Sequence, residues 1–256
     1  MSGEPIFAGI GNFRDFGGHA TPSGRMVRGR LFRSAAHHEA TDEDLAALKA
    51  LGVEVIVDLR HPTERQREAC RRWPGFAAEV IQNDWEETFP SWADVLREHA
   101  PSVEVLREHK LAWYGQMAVE PNRADLFARC LAALAATDRR VLIHCSAGKD
   151  RTGVLVALVQ HAAGASWDDI TSDFLRSNDE GFLRRRAAQT AATLERLSGI
   201  APDPATVRAA MAVERHYLEA AFQGMASRYG SVDAYFEQPL GFGPSERAAL
   251  QARLLG

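Results

Sequence analysis

Apolar positions along this chain repeat with two different periods. At Val53 to Val57, interrupted only by Glu54, and again at Val141 to Ile143 before His144, they form short runs rich in β-branched residues, the pattern of strands buried on both faces. A third short strand is predicted at Glu79 to Gln82. Elsewhere the period lengthens to that of a helix. Leu45, Leu48 and Leu51 follow the N-cap signal Thr41-Asp42-Glu43-Asp44 and stop at Gly52, and Leu126, Phe127, Cys130, Leu131 and Leu134 make one apolar stripe,. A buried helix is expected from Thr152 to Ala163, ending at Gly164, and Ser166-Trp167-Asp168-Asp169 opens the next. Everything from there to Leu255 reads as helix, and residues 85–120 read as largely helical with Trp85, Trp92, Trp113 and Tyr114 scattered through them. Residues 5–35, rich in glycine, arginine and phenylalanine, suggest turns joined by short strands. Pro62 is expected to close the strand that delivers Asp58-Leu59-Arg60,.

Strands alternating with helices predict an α/β fold, a central and mainly parallel sheet flanked by helices with a helical C-terminal region. A length of 256 residues with 46% apolar content suits one domain, 1–256, in which 85–120 would be either a helical lid or a helical pair packed permanently on the sheet,. The net charge of -4 supplies no basic field for nucleic acid,. No apolar stretch has the length to span a bilayer, and Met1-Ser2-Gly3-Glu4-Pro5 does not begin a Sec-type signal,. The expected compartment is the cytoplasm, with secretion by a route that needs no cleaved signal left open. Three cysteines fit no zinc module,, and neither metal nor cofactor is expected.

Candidate chemistry concentrates after the second buried strand, in His144-Cys145-Ser146-Ala147-Gly148-Lys149-Asp150-Arg151-Thr152-Gly153. A cysteine and an arginine bracket a five-residue loop between a strand and a helix, at the strand end where α/β sheets bind ligands. Such a loop can wrap its N–H groups around a phosphate, with the helix N-terminus adding positive potential, and an anion hole of that kind favours a thiolate. Cys145 would be the nucleophile. Arg151 would grip two equatorial oxygens with a fork that lysine lacks. Ser146, Ala147, Gly148 and Lys149 complete the cradle, Gly148 allowing the tight bend. Thr152 could bond the sulfur, and His144 would fix the loop.

The leaving oxygen needs a proton, and two aspartates compete to give it: Asp150 in the loop and Asp84 after the third strand. Arg14, Asp15, Asp58 and Arg60 read more as an ion-paired scaffold for the loop than as substrate contacts. Cys130 reads as core packing, and Cys70, among Arg67, Arg71 and Arg72, as a surface thiol or a redox partner of Cys145. Gly148-Lys149 does not complete a Walker loop, and His37-His38-Glu39 lacks the second histidine of a zinc protease helix,. Arg184-Arg185-Arg186 reads as a solvated helix face.

The run His144 to Gly153 resembles the phosphate-binding loop of the cysteine-dependent tyrosine phosphatases, and its Gly148-Lys149-Asp150-Arg151-Thr152-Gly153 ending is similar to a bacterial branch with mycobacterial and Listeria members. Asn12-Phe13-Arg14-Asp15-Phe16-Gly17-Gly18, Asp58-Leu59-Arg60, Leu175-Arg176-Ser177-Asn178-Asp179 and Tyr229-Gly230-Ser231 extend the resemblance over nearly the whole chain. It implies a tyrosine phosphatase-like fold and hydrolysis of phosphotyrosine through a phosphocysteine. Phosphoserine, phosphothreonine and phosphoinositides are further substrates that the branch accepts, and Lys149 is the residue it links to phosphoinositides. Two other classes stay open at this point: a module that binds phosphorylated partners with weak activity, and another anion-handling thiol enzyme such as an arsenate reductase or sulfurtransferase.

Overall fold

Two strands at the centre of the sheet carry the apolar runs found in the sequence. In the computed structural model, which describes residues 7–256 and so leaves Met1 to Pro5 outside, β1 (Arg14–Asp15) is followed by a small hairpin, β2 (Ala20–Thr21) and β3 (Gly24–Arg25), and by β4 (Leu31–Ser34). Helix α1 (Asp42–Ala50) leads to β5 (Val55–Asp58), α2 (Pro62–Arg67) and β6 (Glu79–Ile81). Then come α3 (Trp92–Glu98), α4 (Val103–Met117) and α5 (Pro121–Ala136), before β7 (Val141–His144) and α6 (Asp150–Ala163). The main sheet has the order β1-β4-β7-β5-β6. Its β4, β7, β5 and β6 run parallel and only β1 is antiparallel. The expected α/β class is the class observed.

Every residue of β5 and β7 is buried, as a parallel sheet covered on both faces requires. Alternation sorts their side chains between two layers. Ile56 and Leu142 join Leu45 and Leu48 of α1 on one face, while Val55, Val57, Val141 and Ile143 join Leu131, Leu155 and Leu158 of α5 and α6 on the other. Thr41 caps α1 in a capping box with Asp44, and α6 ends at Gly164 in the left-handed conformation,.

Two boundaries differ from expectation. β5 starts at Val55 and includes Asp58, and Pro62 opens a helix instead of closing the strand. It is the first residue of α2, whose N-cap is His61; a proline there loses no hydrogen bond, since that N–H has no helical partner. The C-terminal half is helical but broken into α7 (Trp167–Leu175), a 3-10 turn at Arg176–Asn178, α8 (Glu180–Ser198), α9 (Pro204–Met211), α10 (Arg215–Tyr229), α11 (Val232–Glu237) and α12 (Pro244–Leu254). The stretch 85–120 divides in placement. α4 is built into the core through Leu106, Tyr114 and Met117, while Glu86, Glu87, Phe89, Pro90, Ser91 and Trp92 line a cavity. No helix among the described residues is long and apolar enough to cross a membrane.

Candidate active site

The sheet register sets His144 between Ser34 and Asp58, so the ends of β4, β7 and β5 lie side by side. From His144 the chain turns through the loop and enters α6 at Asp150. The loop's carbonyls are held from outside. Ala36 N donates to Ser146 O at 3.1 Å. Asn12 Nδ2 donates to Gly148 O at 2.7 Å and reaches Ala147 O at 3.4 Å. Arg33 Nη2 donates to Gly148 O at 3.0 Å and to Lys149 O at 3.4 Å. Across a trans peptide the following N–H points opposite to the carbonyl, so the amides of residues 147–150 turn away from these partners. Gly148 makes the bend, with φ 66°; a Cβ there would fall 2.2 Å from Ser34 O. Cys145 is buried where the loop begins.

A buried ion-pair network holds those outer partners. Arg14 Nε and Arg33 Nη1 converge on Asp173 at 2.9 and 2.7 Å, and Arg14 Nη1 donates to Asn12 Oδ1 at 2.5 Å. Burial alone would raise the Asp173 carboxyl, but the Arg33 and Arg14 charges outweigh it and hold the group below the usual carboxylate range,. Asp15 accepts from Gly17 N and Gly29 N at 2.8 and 2.6 Å, and Arg60 pairs with Asp58 at 2.7 Å. None of Arg14, Asp15, Asp58 and Arg60 lines the cavity in front of the loop, nor does the buried Cys145.

The cavity in front of the loop has a volume of about 490 Å³. Ala147, Lys149, Asp150 and Arg151 contribute from the loop, with Phe89, Trp92 and Trp113 on one wall and Phe182 and Arg186 of α8 on another. Arg186 thus leaves the solvated face expected of the arginine run. Glu87 braces the wall, accepting from Trp113 Nε1 at 2.8 Å and pairing with the buried Arg123 at 3.2 Å. Although burial works to raise it, hydrogen bonding from His61 and the Arg123 charge bring its carboxyl down to about 2.

Arg151 is held by a residue the sequence reading missed. Glu64, on α2, takes Arg151 Nη1 and Nη2 at 2.5 and 2.7 Å and also accepts from Ser146 Oγ at 2.5 Å. Burial opposes ionisation of Glu64, yet the Arg151 charge and these hydrogen bonds carry its carboxyl well below the usual range. The pairing is end-on, so the Nε edge of the guanidinium faces away from Glu64. His61-Pro62-Thr63-Glu64 carries the signal, a proline at the first helical position and a glutamate two residues later,.

The two candidate acids sit very differently. Asp150 lines the cavity; its Oδ1 accepts from the buried Tyr114 OH at 2.8 Å and its Oδ2 lies 3.7 Å from Lys149 Nζ. Burial pushes the Asp150 carboxyl up, but Lys149, Lys110 and the Tyr114 bond together bring it below its ordinary value. Asp84 pairs with Arg65 at 2.9 Å, its side chain is 91% exposed, and it is not among the lining residues. Lys149 Nζ donates to Met211 O and reaches Ala210 O at 3.4 Å. Lys110 Nζ donates to Ala209 O and Ala212 O at 2.9 and 2.8 Å. Both lysines therefore cap the negative C-terminal end of α9. His144 Nδ1 lies 3.3 Å from Cys145 O, and burial brings its imidazole down to about 4. Thr152 Oγ1 is buried with no hydrogen-bond partner.

This fold and this loop coincide with one family. Residues 6–256 match the tyrosine phosphatase family model. The chain is 34% identical over 240 residues to a Cupriavidus necator protein provisionally named a tyrosine-protein phosphatase, covering 91% of this chain and 83% of that one. It is 32% identical over 258 residues to the triple specificity protein phosphatase PtpB of Mycobacterium tuberculosis, covering 89% and 90%. A tyrosine-protein phosphatase of Nostoc commune matches over 145 residues at 30% identity, 56% of this chain and 46% of that protein. The chain belongs to the tyrosine phosphatase family. It is a protein-tyrosine phosphatase, a hydrolase of phosphate monoesters.

Proposed function

We propose that this phosphatase works through a phosphocysteine on Cys145, in a cradle formed by the amides of residues 146–150 and the guanidinium of Arg151. The observation that carries the reading is the loop itself, its carbonyls drawn outward by Ala36, Asn12 and Arg33 while Glu64 aims Arg151. Fixed dipoles of this kind meet the charge on a transferring phosphoryl group without reorganising.

In the first step Cys145 Sγ bonds to phosphorus as the bond to the substrate oxygen breaks, and Asp150 gives its proton to that oxygen. In the second, water attacks the phosphocysteine and passes a proton to the Asp150 carboxylate; inorganic phosphate leaves and the thiolate returns. Asp150 is preferred to Asp84 because it lines the cavity beside the loop, whereas Asp84 points to solvent. Thr152 is read as the hydroxyl that bonds the departing sulfur, and His144 as the residue that fixes the loop start.

The aromatic wall of Phe89, Trp92 and Trp113 suits the ring of phosphotyrosine. We read phosphoserine, phosphothreonine and phosphoinositides as further substrates, supported by the triple specificity in the name of the mycobacterial relative and by Lys149 and Arg186 in the cavity. Lys149 must leave the α9 carbonyls to meet an inositol phosphate. All three cysteines are free thiols, which suits a reducing compartment such as the cytoplasm. The test is kcat/KM for a panel of phosphopeptides and phosphoinositides, with vanadate as inhibitor. Turnover of phosphotyrosine peptides that vanadate blocks and Cys145→Ser abolishes is expected. Turnover surviving in Cys145→Ser would remove the nucleophile, and binding without turnover would favour a phosphate-binding module.

A further inference from the structure

Behind the loop, three side chains from separate segments meet. His37 follows β4, Cys70 follows α2 and His144 ends β7, and one donor atom of each lies within 4.8 Å of the others. The histidines are wholly buried and their rings lie 4.7 Å apart. Each uses one nitrogen for an orienting contact: His37 Nε2 with Ser34 Oγ at 3.1 Å, and His144 Nδ1 with Cys145 O at 3.3 Å. The other nitrogens, His37 Nδ1 and His144 Nε2, are buried with no hydrogen-bond partner. One nitrogen held by an outer partner and the other left open is how metal-binding histidines are set. Cys70 is equally oriented, its Sγ accepting from His37 N at 3.3 Å and Arg60 Nη2 at 3.1 Å. Asp58 Oδ2 lies 3.7 Å from His144 Nε2 and 2.7 Å from Arg60 Nη2, so its charge offsets that of Arg60 beside the site. None of the three donors lines the substrate cavity.

We propose that His37, Cys70 and His144 form a binding site for a soft divalent transition metal, with Zn²⁺ the ion that two imidazoles and a thiolate suit best. Zinc holds nitrogen at about 2.0–2.1 Å and sulfur at about 2.3 Å, which sets tetrahedral donors about 3.5 Å apart. The widest gap here then closes by roughly 1 Å through side-chain rotation. Binding forms the Zn–S bond as the Cys70 thiol proton leaves to solvent, one proton per ion; water takes the fourth position. The bound ion joins the segment after β4, the segment after α2 and the end of β7, beneath the loop and outside the cavity. Residues 37, 70 and 144 are far apart in sequence, so no zinc-module spacing announces them. The proposal is independent of the phosphatase reading.

Full-length protein stripped with a chelator is titrated with Co²⁺ as an optical probe, then with Zn²⁺. Wild type and Cys145→Ser should each bind one equivalent with a thiolate-to-cobalt charge-transfer band, and saturating Zn²⁺ should raise the melting temperature by roughly 5 °C. Cys70→Ser should lose band and shift. In Cys145→Ser, Zn²⁺ should also slow alkylation of Cys70 at least tenfold, a readout that needs no change at the site. A band that persists in Cys70→Ser or vanishes in Cys145→Ser would move the metal to the nucleophile and overturn the proposal, as would unaltered Cys70 alkylation.

Discussion

Glu64 and Arg151 are joined end-on, carboxylate to guanidinium, at 2.5 and 2.7 Å. The pair links α2 to the first turn of α6 and turns the arginine's Nε edge away from Glu64. Glu64→Ala should lower kcat/KM by roughly 10- to 100-fold, because a small misplacement of a charged clamp costs that much. Glu64→Gln, which keeps one hydrogen bond, should lose less. Steady-state kinetics below the melting temperature of each variant check this, and wild-type kcat/KM in Glu64→Ala would remove Glu64 from the positioning role.

Asp150 and Asp84 separate by leaving group. Asp150→Asn should lower kcat roughly 10²- to 10⁴-fold on phenyl phosphate or phosphotyrosine, whose leaving group needs a proton, and far less on p-nitrophenyl phosphate. Asp84→Asn should be near wild type on both. Lys149 and Lys110 offset burial and hold the Asp150 carboxyl of the free protein below its ordinary value of 3.8. Its acid form is therefore lost as pH rises through the acidic range, and wild-type kcat/KM should decline from there, a decline that Asp150→Asn should lack. Equal losses on both leaving groups in Asp150→Asn would reject it as the acid.

Gly148 should not tolerate a side chain. Its φ of 66° and the 2.2 Å approach of a Cβ to Ser34 O put Gly148→Ala against backbone that cannot yield. The variant should lose activity by roughly 100-fold and stability on the order of 2 kcal/mol. Thermal melts and assays read both, and a fully active, wild-type-stable Gly148→Ala would contradict the loop geometry.

Acid should weaken the cavity wall through Glu87. Its carboxyl falls from 4.5 to about 2 in the folded chain, so the folded state binds fewer protons than the unfolded one between those values. The stabilisation is present above pH 4.5 and disappears as pH drops toward 2. A shift of that size corresponds to about 3 kcal/mol. Glu87→Gln should therefore be less stable than wild type at pH 6 and converge with it near pH 2. Urea midpoints across that range test this; a constant gap between the two proteins would assign the acid sensitivity elsewhere.

What the sequence made legible was contiguous. The loop from His144 to Gly153 holds the proposed nucleophile, arginine and acid in ten residues, and the run Val141 to Ile143 just before it marks the central strand that ends there. What stayed hidden was joined only by folding. Arg33 meets Asp173 across 140 residues and Tyr114 meets Asp150 across 36, and no local pattern reports such pairs. Glu64 was missed for a different reason: Pro62 has two meanings, stop for a strand and start for a helix, and the second holds here. The C-terminal region reads as helical throughout, and its division into separate helices is marked by Gly199, Pro204, Gly230 and Pro244.

The most direct measurement is acid-quenched turnover followed by peptide mass spectrometry. Wild-type protein caught during hydrolysis of a phosphotyrosine peptide should carry one phosphoryl group on the peptide containing Cys145, and Cys145→Ser should carry none while still binding vanadate. Turnover with no phosphoryl group on Cys145, or with one on another residue, would contradict the account.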